Sequence, residues 1–106
     1  MKKIEKHLKK DLDDNKEAIN SIVDAYVSAL QLFQSTEEKR ISDSNLNIQK
    51  AMTNLANADA EDVINEIYQN LCSIDDASDN LAKIDQIRGF LFEEIQERKV
   101  VTGLKK

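Results

Sequence analysis

Leu12, Ile19, Tyr26 and Phe33 stand seven residues apart, with Ile22/Val23 and Ala29/Leu30 interleaved between them. That spacing predicts an amphipathic α-helix with one apolar stripe. Ile4 and Leu8 keep the spacing upstream, so the helix is expected to begin near Lys3, with a bend or a fresh N-cap within Asp11-Leu12-Asp13-Asp14-Asn15. The stripe slips after Phe33, where Ser35-Thr36-Glu37-Glu38 matches a capping box, and Ser42 and Ser44 offer a second cap. A first turn is therefore expected between Ser35 and Asn45.

A shorter stripe follows, with Ile41, Ile48, Met52 and Leu55 on one face and Leu46, Ala51 and Ala56 widening it. Asn57-Ala58-Asp59-Ala60-Glu61-Asp62 supplies an aspartate cap and acids for a first helical turn, so a new helix should start near Ala60. From there Ile64, Ile67, Leu71, Ile74, Ala77/Ser78, Leu81, Ile84, Leu91 and Ile95 hold three-four spacing, with Arg88 as the polar exception.

Two architectures fit this long repeat. One is a single helix from Ala60 to Lys99, roughly 60 Å long at the helical rise. The earlier, shorter segments could not cover such a helix, which implies a dimeric, coiled-coil-like arrangement. The other breaks the repeat at Ser73-Ile74-Asp75-Asp76-Ala77-Ser78-Asp79-Asn80, where Ser, Asp and Asn compete for backbone hydrogen bonds. The break, or a kink, is the expected outcome, because several weak helix formers in a row add up. The fold class expected is thus all-α, an up-down bundle of three or four helices.

Composition narrows this further. The 106 residues suffice for one domain, expected to span 1–106 with basic ends at 1–10 and 100–106 that fray. Zero prolines and two glycines leave little material for the turns of a sheet. The start, Met1-Lys2-Lys3-Ile4-Glu5-Lys6-His7, continues in charge with no apolar stretch behind the lysines, and no run reaches membrane-spanning length. The single Cys72 makes no intrachain disulfide, so a cytoplasmic protein is expected, with Cys72 as a buried structural thiol.

A net charge of −5 argues against a general nucleic-acid binder, but the charge is unevenly placed. Residues 1–10 hold five lysines against one glutamate, and 98–106 hold four basic residues and no acid. Residues 59–97 carry eleven Asp/Glu against only Lys83 and Arg88. Two basic ends meeting in space would make an anion or membrane-surface patch.

Surplus apolar surface is the leading functional sign. Ile87, Phe90 and Phe92 lie off the Ile84-Leu91-Ile95 stripe, so Ile87-Arg88-Gly89-Phe90-Leu91-Phe92 is apolar around most of the helix. Ile87, Phe90, Leu91 and Phe92 are therefore the expected contact for a protein partner or a second copy, as a homodimer. Gly89 beside them is expected to admit a close helix or mark a kink.

Catalytic chemistry has less support. His7 has no second histidine for a metal site, and Lys10 is followed by Asp11 where His-x-x-Lys-Gly of phosphotransfer bundles needs glycine. Asp11-x-Asp13-x-Asn15 opens like a calcium loop, but Lys16 replaces the turning glycine and Ile22 the closing glutamate. Glu93-Glu94-Ile95-Gln96-Glu97 resembles the first motif of the all-helical nucleotide pyrophosphohydrolases. That resemblance implies magnesium held by Glu93, Glu94 and Glu97 against a triphosphate. The family's second motif, Glu-x-x-Asp, has its nearest counterpart upstream in Asp76-Ala77-Ser78-Asp79, without the glutamate.

The expected function is a non-enzymatic interaction module of the adaptor, regulator, immunity or chaperone-like kind, without a cofactor. The alternatives are a magnesium-dependent, pyrophosphohydrolase-like enzyme and an anion or membrane-surface binder through the basic ends.

Overall fold

The computed structural model describes residues 2–99, which form three α-helices and no strand. Helix α1 spans Lys2–Asp14, a short 3-10 turn covers Lys16–Ala18, α2 spans Ile19–Thr53 and α3 spans Ala60–Arg98. Two of the sequence signals fall where they were read. The interruption after Asp14 is present, with the Asn15 side chain bonding back to the Asp11 carbonyl at 3.1 Å. The cap at Asp59 is present too: the Glu61 amide donates to Asp59 Oδ1 at 3.0 Å, which satisfies one of the orphan donors of the new helix. The chain reverses between these helices at Asn54–Asp59, held by amide bonds from Asn54, Leu55 and Asn57 to the carbonyls of Ala51, Met52 and Asn54.

Two expected interruptions are absent. Helix α2 runs unbroken through 35–45, and α3 runs unbroken through 73–80, so the described residues form three α-helices and not four. The physical reason lies in what the polar residues do. Arg40, within the expected first turn, donates through Nε to Ser73 Oγ at 2.9 Å and pairs with Asp76 at 3.7 Å. Ala77, between those polar residues, is wholly buried, and Ser44 is buried in α2. Side chains that compete with the helix in isolation are here turned to the neighbouring helix, and tertiary contact overrides propensity.

The chain groups into two compact units. The first contains residues 1–34 and 82–106 and brings together α1, the start of α2 and the end of α3. All three helix pairs touch there. The Tyr26 hydroxyl donates to Asp11 Oδ2 at 3.0 Å, Arg98 reaches Asp13, and Arg88 donates to Gln34. Arg88, the polar interruption of the α3 stripe, thus spans two helices while also pairing with Asp85 at 3.0 Å. Leu8, Leu12, Val23, Leu30, Ile84, Leu91 and Ile95 form the core. Burial, reinforced by the hydrogen bond and charge of Asp11, holds the Tyr26 hydroxyl above its ordinary pKa, so it stays a donor at neutral pH.

The second unit, residues 35–81, is an antiparallel hairpin of the end of α2 and the start of α3. Arg40 meets Ser73 and Asp76 at one level, and Asn47 Nδ2 donates to Asn70 Oδ1 at 3.3 Å nearer the turn. Its interior is made of small side chains: Ser44 and Ala51 from α2, and Val63 and Ala77 from α3. Each pair is spaced seven or fourteen residues apart, the register of helices in sustained side-by-side contact. Glu37 continues the α2 line, and its Oε2 is buried without a hydrogen-bond donor, with Arg40 at 3.7 Å as its ion partner.

Gly89 sits mid-helix in α3, and a Cβ built there meets nothing within 4 Å. The expected close approach of another helix is therefore absent among the described residues, and no described neighbour needs the missing side chain. Gly89→Ala is expected to raise unfolding free energy by about 0.5–1 kcal/mol, since alanine loses less backbone entropy on entering the helix. Urea denaturation followed by circular dichroism measures it, and a loss of stability would mean that another chain approaches at this point.

Candidate functional site

The second unit places its larger apolar residues outside its own interior. On α3, Ile64, Tyr68 and Leu71 recur at helical spacing, and their relative exposures are 62%, 65% and 48%. Ile67 and Ile74 flank them, half-buried. On α2, Met52 is 55% exposed, Ile48 and Ile41 are half-buried one and three turns before it, and Leu55 is exposed in the turn.

These residues share one side of the hairpin. Viewed from its own N-terminus, each helix carries its apolar row clockwise of its buried line, Ser44–Ala51 in α2 and Val63–Ala77 in α3. Two antiparallel helices displaced in the same sense present those rows to the same side. The result is a face built from Ile48 and Met52 on one helix and Ile64, Ile67 and Leu71 on the other, with Tyr68 at its outer edge. Leu46, also exposed, lies on a different side of α2.

Charge frames this face. Residues 60–81 contain Glu61, Asp62, Glu66, Asp75, Asp76 and Asp79 and no lysine or arginine. Glu61 precedes Ile64 by one turn and Asp75 follows Leu71 by one turn, so an acid stands at each end of the row. Lys39 and Lys50 fall on the opposite side of α2 by the same helical spacing.

Cys72 is exposed, contrary to the expected buried thiol. It lies almost opposite the Val63–Ala77 line of α3, and no other helix segment of its unit packs there. It stands one turn from Tyr68, and a hydrogen bond with Cys72 is the main cause that raises the Tyr68 hydroxyl above its ordinary pKa.

The contact expected from the sequence divides in two. Leu91 has no exposed surface and belongs to the core of the first unit, while Ile87, Phe90 and Phe92 are half-buried. The six-residue run reads as apolar all round because both α1 and α2 pack in the unit that holds this part of α3, where only α2 does in the second unit. The sequence stripe over 64–74 was legible, but its exposure was not, because periodicity cannot say which of two adjacent rows another helix covers.

Glu93, Glu94 and Glu97 do not converge. Glu94 is 4% exposed and accepts a hydrogen bond from Arg98, whereas Glu93 and Glu97 face solvent. No group of three or more His, Cys, Asp or Glu side chains placed to hold a metal occurs among the described residues.

Of the basic ends, Lys3, Lys6, Lys9 and Lys10 are exposed along α1, and His7 is exposed among them. Arg98 is turned to Asp13 and Glu94, Lys99 is exposed, and residues 100–106 lie outside the described residues. No helix among the described residues is long and apolar enough to cross a membrane. Comparison with protein-family models, with curated proteins and with solved structures finds no match to this chain.

Proposed function

We propose that the protein is a non-enzymatic protein–protein interaction module, a small acidic up-down helical bundle acting in the cytoplasm as an adaptor, regulator, immunity or chaperone-like factor. One observation carries the reading. The hairpin of residues 35–81 buries a line of small side chains and leaves Met52, Leu55, Ile64, Tyr68 and Leu71 exposed. Apolar surface gathered on one side of a helix pair is the usual form of a docking surface for another helix. Ile87, Phe90 and Phe92, with part of their surface exposed in the other unit, form a second and smaller contact in this reading.

The test separates a surface that serves a partner from one that serves the fold. Tyr68→Ser/Leu71→Ser is expected to change the unfolding free energy of the isolated chain by no more than about 0.5 kcal/mol per site, as for surface positions. The same double variant should lose most of the fluorescence of a bound apolar dye. Phe90→Asp/Phe92→Asp, which puts charge on half-buried positions, is expected to destabilise by about 1–3 kcal/mol. If Tyr68→Ser/Leu71→Ser proved as damaging as a core substitution, the hairpin face would be part of the fold and the reading would fall.

A further inference from the structure

The exposed face of the hairpin is apolar along its middle and acidic at its ends, and the unit that carries it is acidic as a whole. Residues 35–81 hold ten Asp/Glu against Lys39, Arg40 and Lys50, a balance of −7. Of those three cations, Arg40 is engaged with Glu37, Ser73 and Asp76, and the two lysines lie on the side of α2 away from the face. Any occupant that covers Ile64, Tyr68 and Leu71 therefore brings its own flanking groups close to Glu61 and Asp75, with no cation of the face to meet an acid.

That arrangement chooses among occupants. A second copy joined by a symmetric contact would set this acidic face against itself, and like charges brought together across an interface cost free energy and slow encounter. An amphipathic helix with lysine or arginine beside its apolar row meets the face with both complements satisfied. Its apolar residues cover the Ile64-Tyr68-Leu71 and Ile48-Met52 rows, and its cations face the acids at the ends of the α3 row. The shallow valley between two antiparallel helices accepts a third helix through anchors at i, i+3, i+4 and i+7.

We infer that the face formed by Ile48, Met52, Ile64, Tyr68 and Leu71 docks a basic amphipathic helix of a partner protein. The inference rests on the interaction reading above and deepens it by naming the partner's chemistry. The Coulombic part makes docking salt-sensitive, and the apolar part makes it dependent on the Tyr68–Leu71 row.

Two synthetic peptides of matched length test it, a leucine–lysine amphipathic helix and its leucine–glutamate counterpart, titrated into the full chain by calorimetry, with the solution mass of the chain taken by light scattering. The lysine peptide should bind one to one, at least roughly tenfold more weakly to Tyr68→Ser/Leu71→Ser and at least roughly tenfold more weakly to Glu61→Lys/Asp75→Lys. The charge-reversed variant should gain the glutamate peptide. All four positions are outside the buried set, so circular dichroism should show both variants folded.

Glutamate-peptide binding by the unaltered chain as tight as that of the lysine peptide would overturn the basic-partner inference and leave the interaction reading standing. So would a dimer at low salt that Tyr68→Ser/Leu71→Ser dissociates, since the occupant would then be a second copy. Lysine-peptide binding that ignores Tyr68→Ser/Leu71→Ser would reduce the effect to unspecific charge attraction and overturn the inference. A monomeric chain that binds neither peptide would remove both the inference and the reading beneath it.

Discussion

Leu91→Ala is expected to lower the unfolding free energy by about 2–5 kcal/mol, the range for truncating a buried leucine when the surroundings relax only in part. Leu91 has no exposed surface, and it lies in the unit where α1, α2 and α3 supply its neighbours. Leu12→Ala, equally buried on α1, should fall in the same range, because both remove a large side chain from one shared core. Leu71→Ala, about half-exposed on the hairpin face, should cost under about 1 kcal/mol. Urea unfolding of the three variants at constant m-value checks the order. A Leu71 effect as large as that of Leu91 would place both residues in equivalent surroundings and contradict the burial described above.

The second large effect concerns Arg98. Its guanidinium donates to Glu94 Oε2 and Asp13 Oδ1, joining the end of α3 to α1. Burial by itself lowers the pKa of the guanidinium, and the hydrogen bonds to Asp13 and Glu94 outweigh it and raise the value above the ordinary one. Arg98→Ala leaves the Glu94 carboxylate, 4% exposed, without its cation. The expected loss is about 1–3 kcal/mol, set chiefly by the desolvation of an unpaired acceptor and not by the attraction forgone. Converting Glu94 as well, as Arg98→Ala/Glu94→Leu, should recover part of that loss, because the unpaired charge is then gone. A loss under about 0.5 kcal/mol for Arg98→Ala would class the pair with exposed ion pairs.

The Glu94–Arg98 pair also bears on the magnesium alternative. Glutamates three and four residues apart share a helix face in principle, yet Glu94 is drawn inward to Arg98 while Glu93 and Glu97 stay outside. Sequence spacing is blind to that difference, because it depends on which neighbour covers which side of α3. The same reason governs Leu91 and Phe92: adjacent in the chain and both apolar, they end as core and half-buried edge because a helix turns successive residues by more than a quarter of a circle.

Several features were legible in the order of residues. Absent proline, scarce glycine and sustained three-four spacing specify helices. Asn15 and the Asp59 cap mark two of the boundaries, because their signals are local and act within one helical turn. The serine- and aspartate-rich stretches at 35–45 and 73–80 misled, because such residues break a helix only when no other helix claims their hydrogen bonds. Arg40, meeting Ser73 and Asp76, makes that claim across 33 positions of sequence in the case of Ser73.

The candidate face follows the same division. Its apolar row, Ile64-Ile67-Leu71-Ile74 on α3 and Ile48-Met52 on α2, is written in the sequence as a stripe, and so is its acidic surround. A stripe alone reads as core. Tertiary packing decided that the hairpin closes on the neighbouring line of Ser44, Ala51, Val63 and Ala77 and leaves the larger side chains outward. Local chemistry sets where helices start and which residues share a face, since both depend on neighbours within a turn or two. Which face is covered depends on chain brought in from far along the sequence, and that is a property of the fold.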